Sequence, residues 1–300
     1  MPLGLLAGLG AALSWGTLDL LIALATRRVG SLLVTASMQL IGAALVLLVV
    51  LASGTPVPSD PVVLLGGALV GLAGAGAYLS YFTGLRIGPI TVVSGVVAAY
   101  GGLTVVLAVA LRGETLSVLQ ALGAIAATIG VVLTGISFEG GRRARFASPG
   151  VIFAVVALIL FASMSIGADI VIDRAPWLEV LLVTRSSNAV LSLVVLVVAS
   201  TVLRRQAAPL MAQDRSLAHG GANGRVVAAI AVAGFLDIVG LMSFSYGLEH
   251  AETWLVGLAS SFGPAVTIVA AVALLGERLR PIQWLGLGAI LVGMIAIAVP

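Results

Sequence analysis

The chain has 300 residues, 60% of them hydrophobic and 9% charged, with a formal net charge of +3. Together with a mean hydropathy of +1.21 this excludes an ordinary soluble domain. All fifteen basic residues are arginine and cysteine is absent, which excludes disulfides, thiolate metal sites, cysteine catalysis and a lysine-bearing nucleotide loop.

A bilayer core asks for about 20 apolar residues per helix. The sequence supplies ten such runs, at 3–24, 32–52, 62–84, 90–111, 117–137, 149–171, 178–202, 226–247, 253–275 and 281–299. The expected fold is an all-α polytopic membrane protein. Connections are short except for a polar, Ala/Gly-rich loop around Arg204 to Arg225. Ala23-Leu24-Ala25 resembles a signal-peptidase site, but the preceding run has no basic residue and contains Trp15 and Asp19. The first run is therefore expected to remain as a helix.

In the first helix Trp15 and Asp19 are four apart and share a face. With Tyr78, Tyr81, Tyr100 and Trp254 they suit an aromatic, weakly polar cavity lining. Aromatics at span ends also form interfacial belts. Trp254 and Tyr246 read as belt residues, Trp15 and Tyr81 as cavity residues. Gln39, Ser80 and Ser243 read equally as interhelical hydrogen-bonding groups or as ligands.

The fourth helix contains Gly101-Gly102, and the matching place in the ninth contains Gly263-Pro264. Interruptions at corresponding places in two halves point to a midplane site. Close helix packing through small residues is the alternative reading.

Asp19, Asp169, Arg185 and Asp237 fall inside spans. A charge at the bilayer centre costs at least about 2.5–3.5 kcal/mol, so each must face a partner, a cavity or a substrate. Arg185 is expected to pair with Asp169; binding a substrate carboxylate and snorkelling are the alternatives. Asn188, three residues on, shares its face. Asp237, alone in its span, reads either as a proton-exchanging carboxylate or as a structural one.

Loops after the odd-numbered helices hold twelve arginines; the opposite loops hold only Arg112 and Arg174. The positive-inside rule places the first set in the cytoplasm and both termini outside.

The segment Ser80 to Gly130 aligns without gaps on Ser243 to Gly293, with 18 of 51 positions identical. The most telling pairs are Gly113/Gly276, Glu114/Glu277, Gln120/Gln283 and Gly123/Gly286. An odd number of helices per half then makes the halves inverted, residues 1–140 and 141–300. Glu114 and Glu277 are expected to accept from backbone N–H groups at the start of the next helix.

Two further features, Gly-Leu closing a tyrosine-bearing helix (Gly84-Leu85, Gly247-Leu248) and Leu13-Ser14-Trp15-Gly16 in the first, complete a pattern. With Gly-Glu-x-Leu and the following Gln it resembles the EamA branch of the drug/metabolite transporter superfamily. The resemblance covers nearly the whole chain and implies two inverted five-helix repeats and transport. Two departures stand out: Gly101 replaces the counterpart of Pro264, and the charge bias puts the termini outside.

The expected function is secondary transport of small organic metabolites, such as amino acids or related compounds, across the cytoplasmic membrane. Alternating access, with proton or ion coupling, would drive it. No catalytic residue, cofactor, metal or nucleic-acid partner is expected, and the state is monomer or homodimer. The competing classes are a membrane-embedded lipid- or prenyl-modifying enzyme and a non-transporting membrane sensor. The first lacks an acidic metal motif; His219 and His250, the two histidines, lie in loops.

Overall fold

A computed structural model of the protein describes residues 2–88, 90–135, 149–201, 224–263, 265–266 and 281–298. The described residues are helical, with no strand among them. In chain order they form α1 (Pro2–Val29), α2 (Ser31–Ser53), α3 (Pro61–Ile87), α4 (Ile90–Ala98), α5 (Tyr100–Leu107), α6 (Val118–Gly135), α7 (Pro149–Ile172), α8 (Trp177–Thr201), α9 (Gly224–His250), α10 (Thr253–Ser260) and α11 (Pro281–Ala298). A π-helical turn, Ala108–Arg112, extends α5.

Six segments are long and apolar enough to cross a membrane; α1, α6 and α11 contain shorter apolar stretches. Their outward faces carry large apolar side chains. Leu51, Ile152 and Leu285 are each nearly 70% exposed, as side chains facing lipid rather than water would be.

Local chemistry sets the helix ends. Asp60 caps α3, its carboxylate accepting from the Val62 amide at 2.8 Å, with Pro61 in the first turn. Gly54 closes α2 at φ 68°, and its amide bonds Val50 O. Ser117 and Gln120 form a reciprocal capping box at the start of α6: the Gln120 amide donates to Ser117 Oγ at 3.2 Å, and the Ser117 amide to Gln120 Oε1 at 2.9 Å. This gives one of the duplicated glutamines its role.

The packing is reciprocal. α3 lies on α7 and α9 on α1, while α6 lies on α11. In the last pair a Cβ at Gly123 would sit 2.9 Å from Gly293 O, and one at Gly130 would sit 2.7 Å from Gly286 O. Gly123 aligns with Gly286, and Gly130 with Gly293. Each glycine therefore meets the repeat partner of the other, the relation a two-fold axis generates. Close backbone approach through small residues replaces the hydrophobic drive that water would supply.

The two sets of described loop charges lie at opposite ends. Gly84 and Gly88, beside Arg86, pack against Gly150 at the start of α7. Arg112 reaches Asp169 near its end. α1 begins beside Ala251, so Arg27 and Arg28 at its other end join Arg86 and Arg225, while Arg112 and Arg174 occupy the opposite side.

Replacing Gly130 by valine should lower stability by about 1–3 kcal/mol, because the obstructing atoms belong to backbone. Gly288→Ala, where nothing lies within 4 Å, should leave it unchanged. Thermal unfolding of the purified protein in detergent checks both.

Candidate functional site

α1, α3, α4, α5, α7, α9 and α10 converge on a central cavity of about 670 Å³, its open mouth included. Its wall is mostly ring and methyl surface. Phe161 on α7 is the hub: its ring meets Tyr78 at 5.3 Å, Tyr100 at 5.9 Å and Tyr81 at 6.3 Å. Trp15 and Phe244, 5.7 Å apart, close the side formed by α1 and α9. Edge-to-face pairs hold such rings in fixed orientations. The polar exceptions are the tyrosine hydroxyls, four serines, Asp19 and Asp237.

Two broken helices bring backbone to this cavity. α4 stops at Ala98, and Ala99, with ψ near −5°, offsets α5. The interruption precedes Gly101-Gly102 by two residues. Gly101 instead permits a close crossing with α10, where a Cβ would meet the Ser261 side chain. α10 ends at Ser260, and Ser260, Ser261 and Gly263 line the cavity. Tyr100 Oη and Ser260 Oγ, 2.7 Å apart, tie the two breaks together. Gly102 faces Thr128 of α6 and not the cavity. Pro264 lies outside the described residues.

Asp237 is fully buried, and two neighbours hold its carboxylate. Tyr78 Oη donates to Oδ1 at 2.7 Å, and Arg185 Nη2 pairs with Oδ2. The guanidinium carbon stands 5.8 Å above the Tyr78 ring, close enough for a cation–π contact. The expected Asp169–Arg185 pair is therefore corrected to Asp237–Arg185. Depth explains the change. Arg185 lies eight residues into α8, about 12 Å along its axis at 1.5 Å per residue, whereas Asp169 is three residues from the end of α7. At that level Asp169 meets Arg112 Nε at 2.5 Å, and Asp173 takes Arg112 Nη2 at 2.7 Å.

Arg185 and Asn188 line a second, smaller cavity with Thr184 and Ser245. Both are buried, and Gly42 and Gly74 leave room for them: a Cβ at Gly74 would stand 3.0 Å from Asn188 Nδ2. Neither Arg185 nor Asn188 reaches the central cavity.

Asp19 has a different environment. It is 7% exposed and lines the central cavity. Its polar partner is the Tyr81 hydroxyl, which also lies 3.1 Å from Ser94 Oγ. Among the described residues no cation pairs with it.

The ends of the molecule complete the picture. Glu114 caps a helix, but one in the other half. Its carboxylate accepts from Thr253 N at 2.9 Å and Trp254 N at 3.0 Å, at the start of α10. The reason is local: Gly113, at φ 68°, turns the chain, and α6 already has its Ser117–Gln120 cap. Glu277 lies outside the described residues. Trp254 is wholly buried, its Nε1 donating to Glu252 at 2.5 Å, and does not join an interfacial belt. Tyr246 remains 37% exposed and stacks on His250. Ser243 donates to Ala7 O at 2.8 Å, an interhelical bond; Gln39 is fully buried and has no hydrogen-bond partner among the described residues.

Trp15, Asp19, Tyr81, Tyr100 and Asp237 thus converge, while Asp169, Arg185 and Asn188 do not line the central cavity; Arg185 adjoins it through Asp237 and Tyr78. Phe161 escaped sequence reasoning because it is one apolar residue within the most apolar of the six long spans.

Comparison with known proteins agrees with this architecture. A family model described as the EamA-like transporter family matches residues 2–136 and 148–299. A protein of known crystal structure shares the fold at a TM-score of 0.77 and 21% identity, over 98% of this chain and 96% of the other. Among curated protein sequences none matches. The family match spans nearly the whole sequence, and the long apolar helices agree with it: the chain is a multi-pass membrane protein and belongs to the EamA-like transporter family.

Proposed function

We propose that the protein is a secondary transporter that moves small organic metabolites across the cell membrane by alternating access. Its frame in this reading is ten membrane-spanning helices in two inverted five-helix halves, residues 1–140 and 141–300. The observation that carries the proposal is the central cavity, walled by both halves and bearing at Asp19 a carboxylate with no cation partner among the described residues. A buried carboxylate without a cation is poorly stabilised when ionised. It is therefore suited to trade a proton for something else.

The coupling role passes from Asp237 to Asp19. Asp237 has two fixed partners, the Arg185 guanidinium and the Tyr78 hydroxyl. Among the described residues Asp19 faces one titratable group, Tyr81 on α3. Asp237 on α9 lies elsewhere on the same wall, already neutralised, and α10 contributes serines. Arg27 and Arg28 on the same helix are exposed at its end.

The arginine-poor end supports the alternating part of the reading. Arg112 and Glu114 from the first half hold Asp169, Asp173 and the start of α10 in the second. Further round, the Trp177 amide donates to Glu249 at 3.3 Å. Opening the cavity towards that side requires these ties to part. If this end is extracellular, as the arginine bias argues, the closed gate is the outer one. The absence of lysine leaves no nucleotide-binding loop, so an ion or solute gradient supplies the work.

Purified protein in proteoliposomes should exchange labelled substrate for internal substrate without ATP. Joining Arg112→Cys to Asp173→Cys with a bifunctional maleimide should stop that exchange. Unimpeded exchange after verified cross-linking would remove this end from the gate. Orientation is checked separately: Arg28→Cys, introduced into a thiol-free chain, should resist impermeant maleimide in intact cells. Asp237→Leu alone should cost about 3–5 kcal/mol by stranding a buried guanidinium. The double variant with Arg185→Met should recover most of that loss; thermal unfolding distinguishes them.

A further inference from the structure

Resting on the transporter reading, we propose that the substrate of the central cavity is an organic cation. Its chemistry is a protonated amine carried on an aromatic or bulky apolar body, with the ammonium seated at Asp19.

The charge balance of the wall leads here. Two carboxylates face the cavity. The one at Asp237 is matched by Arg185, whose guanidinium belongs to the second cavity. The one at Asp19 has a hydroxyl neighbour and no described cation. Among the described residues no arginine or histidine lines the central cavity. From them a ligand carboxylate would find hydroxyl and indole donors and would lie in the same compartment as Asp19. A ligand ammonium would find its one missing partner.

The remainder of the wall favours the same class. Trp15 lies four residues before Asp19 on α1, and Tyr81 touches its carboxylate; an ammonium held by Asp19 lies beside both. Aromatic faces attract cations by their ring quadrupoles, more strongly once water is excluded. Phe161, ringed by three tyrosines, offers an apolar wall for the body of the ligand. Free amino acids, the expectation raised by Arg185 in the sequence, are disfavoured because that arginine is already paired with Asp237 and lines the second cavity.

Proton and substrate then compete for one site. An amine arriving as its cation displaces the proton of Asp19, and the reprotonated carboxyl resets the empty carrier. Charge balances: one proton leaves the site for each monovalent cation that enters.

A matched pair of probes tests the proposal on the full-length protein in nanodiscs. Phenethylamine and phenylalanine carry the same ring and ammonium and differ in the carboxylate. Phenethylamine should bind at least about tenfold more tightly, a difference of 1.4 kcal/mol. Asp19→Asn should abolish the amine binding, and Asp19→Glu should retain part of it. Equal or tighter binding of phenylalanine overturns the assignment, as does undiminished amine binding by a folded Asp19→Asn protein. The wild-type comparison stands even if the variant fails to fold. Exchange in proteoliposomes separates the two levels. Exchange of zwitterions or anions but not amines sinks the cation assignment and keeps the transporter. Amine binding without any exchange keeps the site and sinks the transporter.

Discussion

A charge carried among apolar helices has to be matched inside the protein or held neutral, and the arrangement of this molecule follows from that constraint. With so few ionisable side chains, each is placed at a distinct depth. Near the centre Arg185, Asp237 and Tyr78 form one closed group from three helices, α8, α9 and α3. Nearer the arginine-poor end, Arg112 gathers Asp169 and Asp173. Glu114 satisfies the orphaned amides of a helix start. Asp19 alone among the described buried carboxylates has neither solution, and it lies beside both cavity and aromatic wall.

Small residues make these meetings geometrically available. Gly42 leaves space against Arg185, Gly74 against Asn188, and Gly240 against the Trp15 indole, where a Cβ would fall 2.6 Å from Nε1. The long polar or aromatic side chains of one helix thus lie across the bare backbone of the next. The same device brings α6 to α11 and α5 to α10. Where it operates between the two broken helices, it also delivers Ser260 and Ser261 into the cavity.

The molecule sets an asymmetric cavity within a repeated frame. The repeated elements are structural: Gly123 and Gly130 meet their own repeat partners, and Gln120 builds a cap. The charged residues that shape the cavity belong to one half each. Asp237 aligns with Gly74, a position given over to backbone proximity. A transporter made of two matched halves acquires one distinct site when only one copy keeps a side chain.

Sequence alone determined the membrane-protein class, the helical content, the repeat and the family pattern, because apolar run length and punctuation are local properties. It also located Trp15, Asp19, Tyr81, Tyr100 and Asp237 as residues too polar or too large to be idle in a span. Partnership was beyond it. Which carboxylate takes Arg185 depends on relative depth and rotation of α7, α8 and α9, and a linear sequence fixes neither. For the same reason Glu114 caps a helix of the other half, Trp254 is buried, and the helix break sits at Ala99 instead of at the glycines. Tertiary packing decided which of two similar aspartates is already spoken for. That difference, a matter of a few ångströms between side chains far apart in the chain, moved the functional assignment from Asp237 to Asp19.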